Sequence, residues 1–209
     1  MVLTKEEIVK RIEKGNITFM PSLDAFQIQA HSIDLRLGFT FLIPKMWQMT
    51  LEGREAMNID PLKNHGPEHF DVVELEQGQY FDLLPQEYIL VATLETMKVP
   101  DDLMAILYPR SSTNRKGLAV DLTGIIDSGY EGVLTIPIRN NTRTQTIRLH
   151  PGERFCQIIF QMLSRKVKAR KSRWHKKDIV DKGKKEKATE MNFIKKGDIR
   201  GLKAAFPAK

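Results

Sequence analysis

The stretch PRSSTNRKG, near the middle of the chain, groups side chains that can bind an anion. Arg110, Ser111 and Ser112 directly follow an apolar run, and Arg115 lies four residues after Ser111. A guanidinium can form two parallel hydrogen bonds with phosphate oxygens, and hydroxyls and backbone amides of a turn can add further ones. The stretch is therefore a candidate phosphate-binding segment, although the pattern alone also fits a surface turn with an exposed arginine.

A carboxylate and an aromatic ring follow shortly afterwards, in the segment GIIDSGY. Asp127 lies between two isoleucines and a glycine turn, and Tyr130 ends the segment. We expect burial to orient Asp127 and to remove part of its solvent. A carboxylate that activates water beside a cation-bound phosphate is the minimal equipment for phosphoanhydride hydrolysis. The alternative is a structural aspartate that forms the turn.

A third candidate segment, PGERFCQIIF, leads from a turn into a strand. Gln157 lies there among apolar residues and needs partners for both ends of its amide, either a ligand phosphate or water, or groups of the core. The single cysteine, Cys156, is more typical of a core position than of a nucleophile or a zinc ligand. The five histidines are scattered without the spacing of a metal site.

These segments need a scaffold, and the sequence predicts a mainly β one that begins with a helix. In TKEE, Thr4 and Glu7 form a capping box, and Gly15 is a helix stop. The segment SIDLRLG alternates strictly and predicts a strand with one wet face. Further predicted strands, at short and regular spacing, cover residues 80–84, 88–94, 103–108, 118–120, 133–138, 146–149 and 155–162. Many short strands of this kind indicate a sandwich, jelly roll or barrel.

Two regions interrupt this pattern. Residues 44–70 are predicted to be an insertion loop, because the stretch from Trp47 to His69 is polar and shows no sustained period. The tail, residues 164–209, is predicted to be mobile, because its apolar residues are scattered. Residues 165–187 contain twelve basic and three acidic residues, a local charge of +9 that leaves −2 of the total +7 for the remainder. Such a tail suits a solvated surface or a polyphosphate, and nucleic acid is the less favoured partner.

The chemical segments occur in an order that resembles the first four motifs of the dUTPase and dCTP deaminase superfamily. The matching segments are residues 32–38, 110–112, 126–130 and 151–157, and the likeness extends over residues 3–162. The opening helix, the strand before Pro100 and the position of Arg115 resemble the deaminase branch in particular. Four ordered motifs are far more specific than any one of them.

The resemblance implies a fold, a substrate and a set of roles. It implies a distorted jelly roll, the dUTPase-like fold, assembled as a homotrimer with sites between subunits and with Mg²⁺ bound mainly through the substrate's phosphates. Asp127 matches the residue that activates the attacking water, and Tyr130 the residue that packs on deoxyribose. The matches of Arg110, Ser111, Ser112 and Gln157 hold phosphates or water, and Arg115 orients that set.

The choice between the two branches depends on one position. Deaminases of this superfamily need a glutamate in the strand after the Asp-to-Tyr turn, to shuttle protons between water, N3 and the leaving amine. That position is Pro137 here, and proline can neither accept nor donate a proton. Because proline also lacks an amide hydrogen, the strand 133–138 should be at an edge or bulged at this residue.

Two further departures from the superfamily pattern concern the base and the lid. The hairpin between Gly117 and Asp127 is one residue shorter than in either branch. The final phosphate-capping motif is reduced to Arg200-Gly201-Leu202-Lys203-Ala204-Ala205-Phe206, which lacks the inner glycines. Lys182, Lys184, Lys185 and Thr189 resemble, loosely, the basic tail with which deaminases cover the triphosphate.

From these residues we predict a dUTP diphosphatase that forms dUMP and diphosphate, with a catalytic domain at residues 1–163. The alternatives are a dCTP deaminase, or a bifunctional deaminase and diphosphatase, that uses another proton shuttle, and a nucleotide-binding regulator without turnover. The single cysteine and the lack of any signal-like or membrane-spanning pattern favour the cytoplasm and give no indication of a membrane partner.

Overall fold

The computed structural model describes residues 1–60, 62, 66–121, 124–168 and 188–207. The helices are α1 (Lys5–Glu13), α2 (Ser111–Asn114), α3 (Ala188–Lys195) and α4 (Ile199–Ala205), with a 3-10 turn at Pro67–His69. The strands are β1 (Thr18–Met20), β2 (Ile33–Pro44), β3 (Trp47–Thr50), β4 (Gly53–Ala56), β5 (Phe70–Glu74), β6 (Phe81–Leu83), β7 (Tyr88–Lys98), β8 (Leu103–Pro109), β9 (Leu118–Val120), β10 (Ile125–Ile126), β11 (Glu131–Asn140), β12 (Ile147–Leu149) and β13 (Arg154–Met162).

Most strands belong to one curled antiparallel sheet. Its order is β10-β8-β13-β2-β7-β11-β9, with β1 also paired to β7 and β5 also paired to β2. The long strands β2 and β7 each exchange partners along their length, because β2 leaves β13 after Arg36 and continues beside β5 from Thr40. This change of partners bends the sheet around its own core. The predicted class, a mainly β distorted jelly roll with an N-terminal helix, is confirmed.

The core lies inside the curl and follows from the alternation of the strands. Along β11, Leu134, Ile136 and Ile138 are buried, and the residues between them are more exposed. Phe41 and Phe160 are fully buried from β2 and β13. Gly38 is required where β2 approaches β7, because a Cβ there would lie 2.9 Å from the carbonyl oxygen of Ala92.

The opening helix forms where it was predicted, but its capping box does not. Thr4 is the N-cap residue with an extended backbone, and its side chain makes no capping hydrogen bond. Its hydroxyl instead bonds the carboxylate of Glu6, which lowers the pKa of Glu6. Ile8 is fully buried against the sheet, and Gly15 ends the helix with a φ of +68°.

The insertion differs from the predicted loop. β3 and β4 pair as a hairpin, in which the guanidinium carbon of Arg54 lies 4.7 Å from the ring centre of Trp47. The sequence signal was weak because each strand has four residues, too few for alternation to stand out. β5 was also missed, although Gly66 and Pro67 mark a turn shortly before it.

The described part of the tail forms helices that the sequence did not predict. Residues 188–205 form α3 and α4, with the rings of Phe193 and Phe206 in edge-to-face contact at 6.4 Å. Asp198 caps α4 by accepting a hydrogen bond from the Gly201 amide at 2.8 Å. The reduced lid motif thus lies mostly within this helix. Most of the basic stretch, with Lys182, Lys184 and Lys185, lies outside the described residues.

In the described part of the chain, each helix is too short or too polar to span a membrane.

One buried side chain joins three segments at the end of β11, which gives a stability prediction. The Asn140 amide is fully buried, donates to the carbonyls of Leu83 and Gln145, and accepts from the amide and hydroxyl of Thr142. Asn140→Ala leaves these groups unpaired, so we expect a loss of about 2–4 kcal/mol in the free energy of unfolding. Urea unfolding measures it.

The exposed Asn141 is the matched control for this measurement. We expect Asn141→Ala to change the free energy of unfolding by less than about 0.5 kcal/mol, as is usual for exposed positions. Equal losses in the two variants would contradict the structural role of Asn140.

Candidate functional site

The phosphate-binding segment forms a single helical turn at the end of β8. Arg110 is the N-cap of α2, and the hydroxyls of Ser111 and Ser112 are exposed in its first turn. The Arg115 guanidinium folds back to 3.5 Å from the Ser111 hydroxyl. The structure thus brings four of the predicted residues together, with hydroxyls and cations on one solvent-facing turn.

Arg110 is held from behind by a buried carboxylate that the sequence analysis did not single out. Asp34 is 2% exposed, and its Oδ2 lies 3.0 Å from the Nε of Arg110 and 3.1 Å from an Nη of Arg154. Arg110 also donates to the backbone carbonyl of Arg154 at 2.7 Å. Three strands, β2, β8 and β13, are joined at this carboxylate.

The electrostatics of Asp34 combine two opposing effects. Burial raises its pKa, and the positive charges of Arg110 and Arg154 offset part of this increase. A charge inside a strand whose neighbours are apolar, as in S-I-D-L-R, is the signal that could have identified it. An isolated buried carboxylate is costly, so such a residue requires cationic partners from elsewhere in the chain.

Gln157 is occupied by protein groups. Its amide nitrogen donates to the Pro109 carbonyl at 3.3 Å, and its oxygen lies 3.4 Å from the Ser32 hydroxyl. Both ends of the amide therefore have partners within the fold, which is the second of the two arrangements considered from the sequence. Through Pro109, Gln157 supports the strand end that carries Arg110.

The carboxylate of Asp127 lies in a different setting from the one expected. Asp127 is exposed, as is the neighbouring Ile125 at 61%, so the expected burial is absent within one chain. The turn itself is firmly built, because the buried Ser128 hydroxyl donates to the Leu103 carbonyl and Gly129 adopts a φ of +76°. The prediction failed because the surrounding isoleucines are not both core residues.

Asp127 and Arg110 lie at opposite ends of β8. The register pairs Ile126 with Ala105, which places Asp127 beside Met104, six residues before Arg110. At 3.3 Å per residue the two positions are about 20 Å apart along the strand. A water molecule activated by one group cannot attack a phosphate held by the other over this distance within a single chain.

Tyr130 belongs to the same turn as Asp127, and like Ser128 it is anchored by a hydrogen bond from its hydroxyl to a backbone carbonyl. Its hydroxyl donates to the Val133 carbonyl, and its ring packs against the core. Burial raises the pKa of Tyr130 to about 12. The phenol is therefore neutral at physiological pH, and the ring can serve as a fixed apolar surface.

Pro137 lies where the β9 ladder ends, as its missing amide hydrogen requires. β9 pairs with Ile138, Arg139 and Asn140 of β11, and next to them the Asp121 amide donates to the Pro137 carbonyl at 3.0 Å. β11 also has a register irregularity between Val133 and Thr135 against β7. β11 itself lies between β7 and β9, so it is not an edge strand, and its irregularity lies before Thr135 and not at Pro137. The end of β9 leaves β11 open on one side at Pro137.

A second buried carboxylate lies under the site. Glu95 of β7 is 2% exposed and accepts hydrogen bonds from the Gln27 side chain at 2.7 Å and from the Arg36 amide at 3.0 Å. Burial raises the pKa of Glu95, and these hydrogen bonds offset this only in part. Burial and the charges of Glu95 and Asp34 likewise raise the pKa of the buried Cys156 thiol, which keeps it unreactive.

The described residues contain no group of three His, Cys, Asp or Glu side chains arranged to hold a metal ion. Mg²⁺ that keeps its waters and phosphate oxygens needs only one or two carboxylates from the protein. Asp127 is an exposed oxygen donor of that kind. Asp127 therefore fits as one oxygen ligand of an ion that arrives with a nucleotide.

The curled sheet, the N-terminal helix and the serine-arginine turn define a protein of the dUTPase and dCTP deaminase superfamily. The dCTP deaminase-like family model matches residues 2–163, and the chain belongs to that family.

Several similar proteins carry the name dCTP deaminase, dUMP-forming. A relative in Dictyoglomus thermophilum, named dCTP deaminase, dUMP-forming, is 40% identical over 166 residues, which are 78% of this chain and 81% of the relative. A relative of the same name in Methanobrevibacter smithii is 34% identical over 165 residues, with the same coverage. The crystal structure of 2'-deoxycytidine 5'-triphosphate deaminase from Agrobacterium tumefaciens has a TM-score of 0.58 and 25% identity. The match covers 77% of this chain and 48% of that protein.

These relatives overturn the prediction of a dUTP diphosphatase. Their names describe enzymes that act on dCTP and form dUMP, which was the alternative. The prediction was wrong because Arg110, Ser111, Asp127 and Tyr130 match motifs that both branches share and so cannot separate them. Pro137 then pointed to the diphosphatase branch, because proline cannot transfer a proton.

The buried Glu95 gives a prediction for the dependence of stability on pH. Because its pKa is raised in the folded protein, its stabilising contribution is greatest below the ordinary glutamate pKa and is lost as pH rises through the raised value. Glu95→Gln removes this titration. We expect the stability of the wild type relative to Glu95→Gln to fall as the pH rises above the ordinary pKa of a glutamate.

Urea unfolding of both proteins at several pH values measures this difference, and the other acids titrate in both and largely cancel. Glu74→Gln, at an exposed position of β5, is the control, for which we expect a nearly constant difference. A relative stability of the wild type that increases with pH would contradict the assignment.

Proposed function

We propose that the protein converts dCTP to dUMP, with release of ammonia and diphosphate. The observation that carries this proposal is the alignment of about four fifths of the chain with relatives named dCTP deaminase, dUMP-forming, at 34–40% identity. The serine-arginine turn supports a triphosphate substrate. Two water molecules are consumed, one at C4 of cytosine and one at phosphorus.

The phosphate half of the site follows from the turn at the end of β8. The exposed hydroxyls of Ser111 and Ser112 and the guanidinium of Arg115 can bind phosphate oxygens directly. Arg110 is fixed by Asp34, so its remaining donors are aimed without further loss of side-chain freedom. Mg²⁺ bound by the phosphates would neutralise further charge when present.

The opposite half contains the catalytic base, Asp127, and the ring of Tyr130, which faces the sugar. The Asp127 carboxylate accepts the proton of the water that attacks the phosphorus joined to the sugar, while Tyr130 presents its neutral ring to the deoxyribose. The buried Ser128 and its bond to β8 keep this turn in place. Gln157 supports the strand end that carries Arg110.

The two halves come together when copies of the chain assemble, and a homotrimer is the arrangement implied by the superfamily. Attack by water requires contact at about 3–3.5 Å, whereas Asp127 and Arg110 of one chain are about 20 Å apart. A second copy would bring its Asp127 turn to the serine-arginine turn of the first. The exposed Ile125 beside Asp127 is an apolar surface that such an interface would cover.

A second candidate function is a nucleotide-binding regulator without turnover. Pro137 favours it, because the strand position that faces the base in deaminases of this superfamily has no group that can transfer a proton. Binding of dCTP without product separates this function from the proposed one.

The activity test uses the purified full chain with Mg²⁺ and dCTP, with dUTP in a parallel reaction. We expect ammonia, dUMP and diphosphate in equal amounts from dCTP. Binding without any product would favour the regulator. Consumption of dUTP with no action on dCTP would contradict the proposed function.

A site shared between copies predicts complementation of inactive variants. We expect Asp127→Asn and Arg110→Ala each to lose at least about 100-fold in dUMP formation, because one removes the base and the other a phosphate anchor. When the two variants are mixed and allowed to exchange subunits, about a quarter of the sites combine an intact Arg110 with an intact Asp127. Activity should therefore return towards a quarter of the wild-type value.

The assay is dUMP formation before and after mixing, with each variant alone as control. Subunit exchange is verified with chains of two different masses. A mixture that exchanges subunits and stays inactive would show that each chain carries a complete site and would contradict the shared arrangement.

A further inference from the structure

Deamination needs a proton carrier, and the neighbouring strand offers one. Resting on the proposed function, we propose that the Asp121 carboxylate transfers the protons in the deamination of dCTP, in place of a side chain at position 137. The inference follows from the juxtaposition of Asp121 with Pro137, and the sequence analysis did not consider Asp121.

The register of β9 against β11 places Asp121 and Pro137 opposite each other. β9 and β11 pair Leu118 with Asn140, Ala119 with Arg139 and Val120 with Ile138, so the next pair is Asp121 with Pro137. The 3.0 Å hydrogen bond from the Asp121 amide to the Pro137 carbonyl confirms that the pairing continues to this point. Residues directly opposite in antiparallel strands have Cβ atoms about 5 Å apart on the same face of the sheet. Asp121 therefore projects from the same face as Pro137.

Asp121 is also available to a ligand. It is exposed and forms no ion pair or side-chain hydrogen bond within the described residues. Burial raises the pKa of the half-buried Tyr88, and the charge of Asp121 adds to this increase. The Arg139 guanidinium lies 5.6 Å from the Tyr88 ring centre. A carboxylate, a neutral phenol and a cation thus lie around Pro137 on one face.

Two other carboxylates, those of Glu131 and Asp127, are badly placed for this task. Glu131 is at the opposite end of β11, paired with Lys98, six residues before Pro137. That separation corresponds to about 20 Å along the strand. Asp127 precedes the same end, beyond Glu131, and the proposed reaction already uses it at phosphorus.

One carboxylate is sufficient for both proton transfers of the deamination, because it is regenerated after each of them. Asp121 accepts a proton from the attacking water as the water oxygen bonds to C4, and passes that proton to N3. It then accepts the remaining proton of the new C4 hydroxyl as the C4=O bond forms, and passes it to N4. The C4–N4 bond breaks, ammonia leaves with the bonding electrons, and Asp121 returns to its starting state.

The test is ammonia release from dCTP by Asp121→Asn, measured together with dCTP affinity. We expect ammonia release to fall by about 100-fold or more, the usual contribution of a proton-transfer group, and dCTP affinity to stay within about threefold. Asp121→Glu keeps a carboxylate and should retain more activity than Asp121→Asn. Glu131→Gln is the matched carboxylate control and should retain ammonia release.

Four results would overturn the inference. They are ammonia release by Asp121→Asn within about threefold of the wild type, an equal loss in Glu131→Gln, no gain of Asp121→Glu over Asp121→Asn, and a loss of dCTP affinity that accounts for the whole effect. The last result would make Asp121 a structural or substrate-binding residue. If the wild type itself releases no ammonia, the proposed function fails first, so the two failures are distinguishable.

Discussion

The carboxylate of Asp34, buried and shared by Arg110 and Arg154, is the interaction on which the phosphate half of the site depends. It joins three neighbouring strands, β2, β8 and β13, at the point where β8 gives way to the serine-arginine turn. A buried carboxylate is tolerated only with compensating partners, and here both partners are arginines with fixed positions. The two arginines that offset the cost of burying Asp34 are thereby held in place, and Arg110 is kept at the start of the exposed serine-arginine turn.

The sheet that holds the phosphate half of the site also separates it from the half that contains Asp127 and Tyr130. β8 carries Arg110 beyond one end, while β10 pairs near its other end and is followed by Asp127. Because a strand is stiff and extends about 3.3 Å per residue, no side-chain motion can bring the two together in one chain. Asp127 and Ile125 are both exposed at this end of β8, and the proposed assembly would cover them.

In the pairing of β9 with β11, the proposed proton transfer belongs to Asp121 and not to position 137, which lies opposite it. A proline in a central strand would leave a ladder group unpaired, and here β9 ends next to it, so the loss falls at an edge. Asp121, the residue across from it, keeps its amide bonded and its side chain exposed. A position-by-position comparison of motifs overlooks such an exchange, because it follows one strand at a time.

The sequence alone determined a scaffold of many short strands, because alternation in β11 and β13 records which face of each strand meets the core. In the segment SIDLRLG the alternation misled, because Ser32 and Asp34, on the predicted wet face, are buried. The sequence also identified the serine-arginine turn and located the family. It could not predict the helices of residues 188–205, the hairpin of the insertion, or the setting of Asp127. The hairpin was missed because its strands are too short to show alternation, and the setting of Asp127 depends on the pairing of β10 with β8. The two helices contact each other through Phe193 and Phe206. Only the tertiary structure decided which side chains meet, because Asp34 lies beside Arg110, and Asp121 opposite Pro137, through the pairing of strands that are separate in the sequence. The alternation of one strand tells which of its residues share a face, but not which residues of another strand lie next to them.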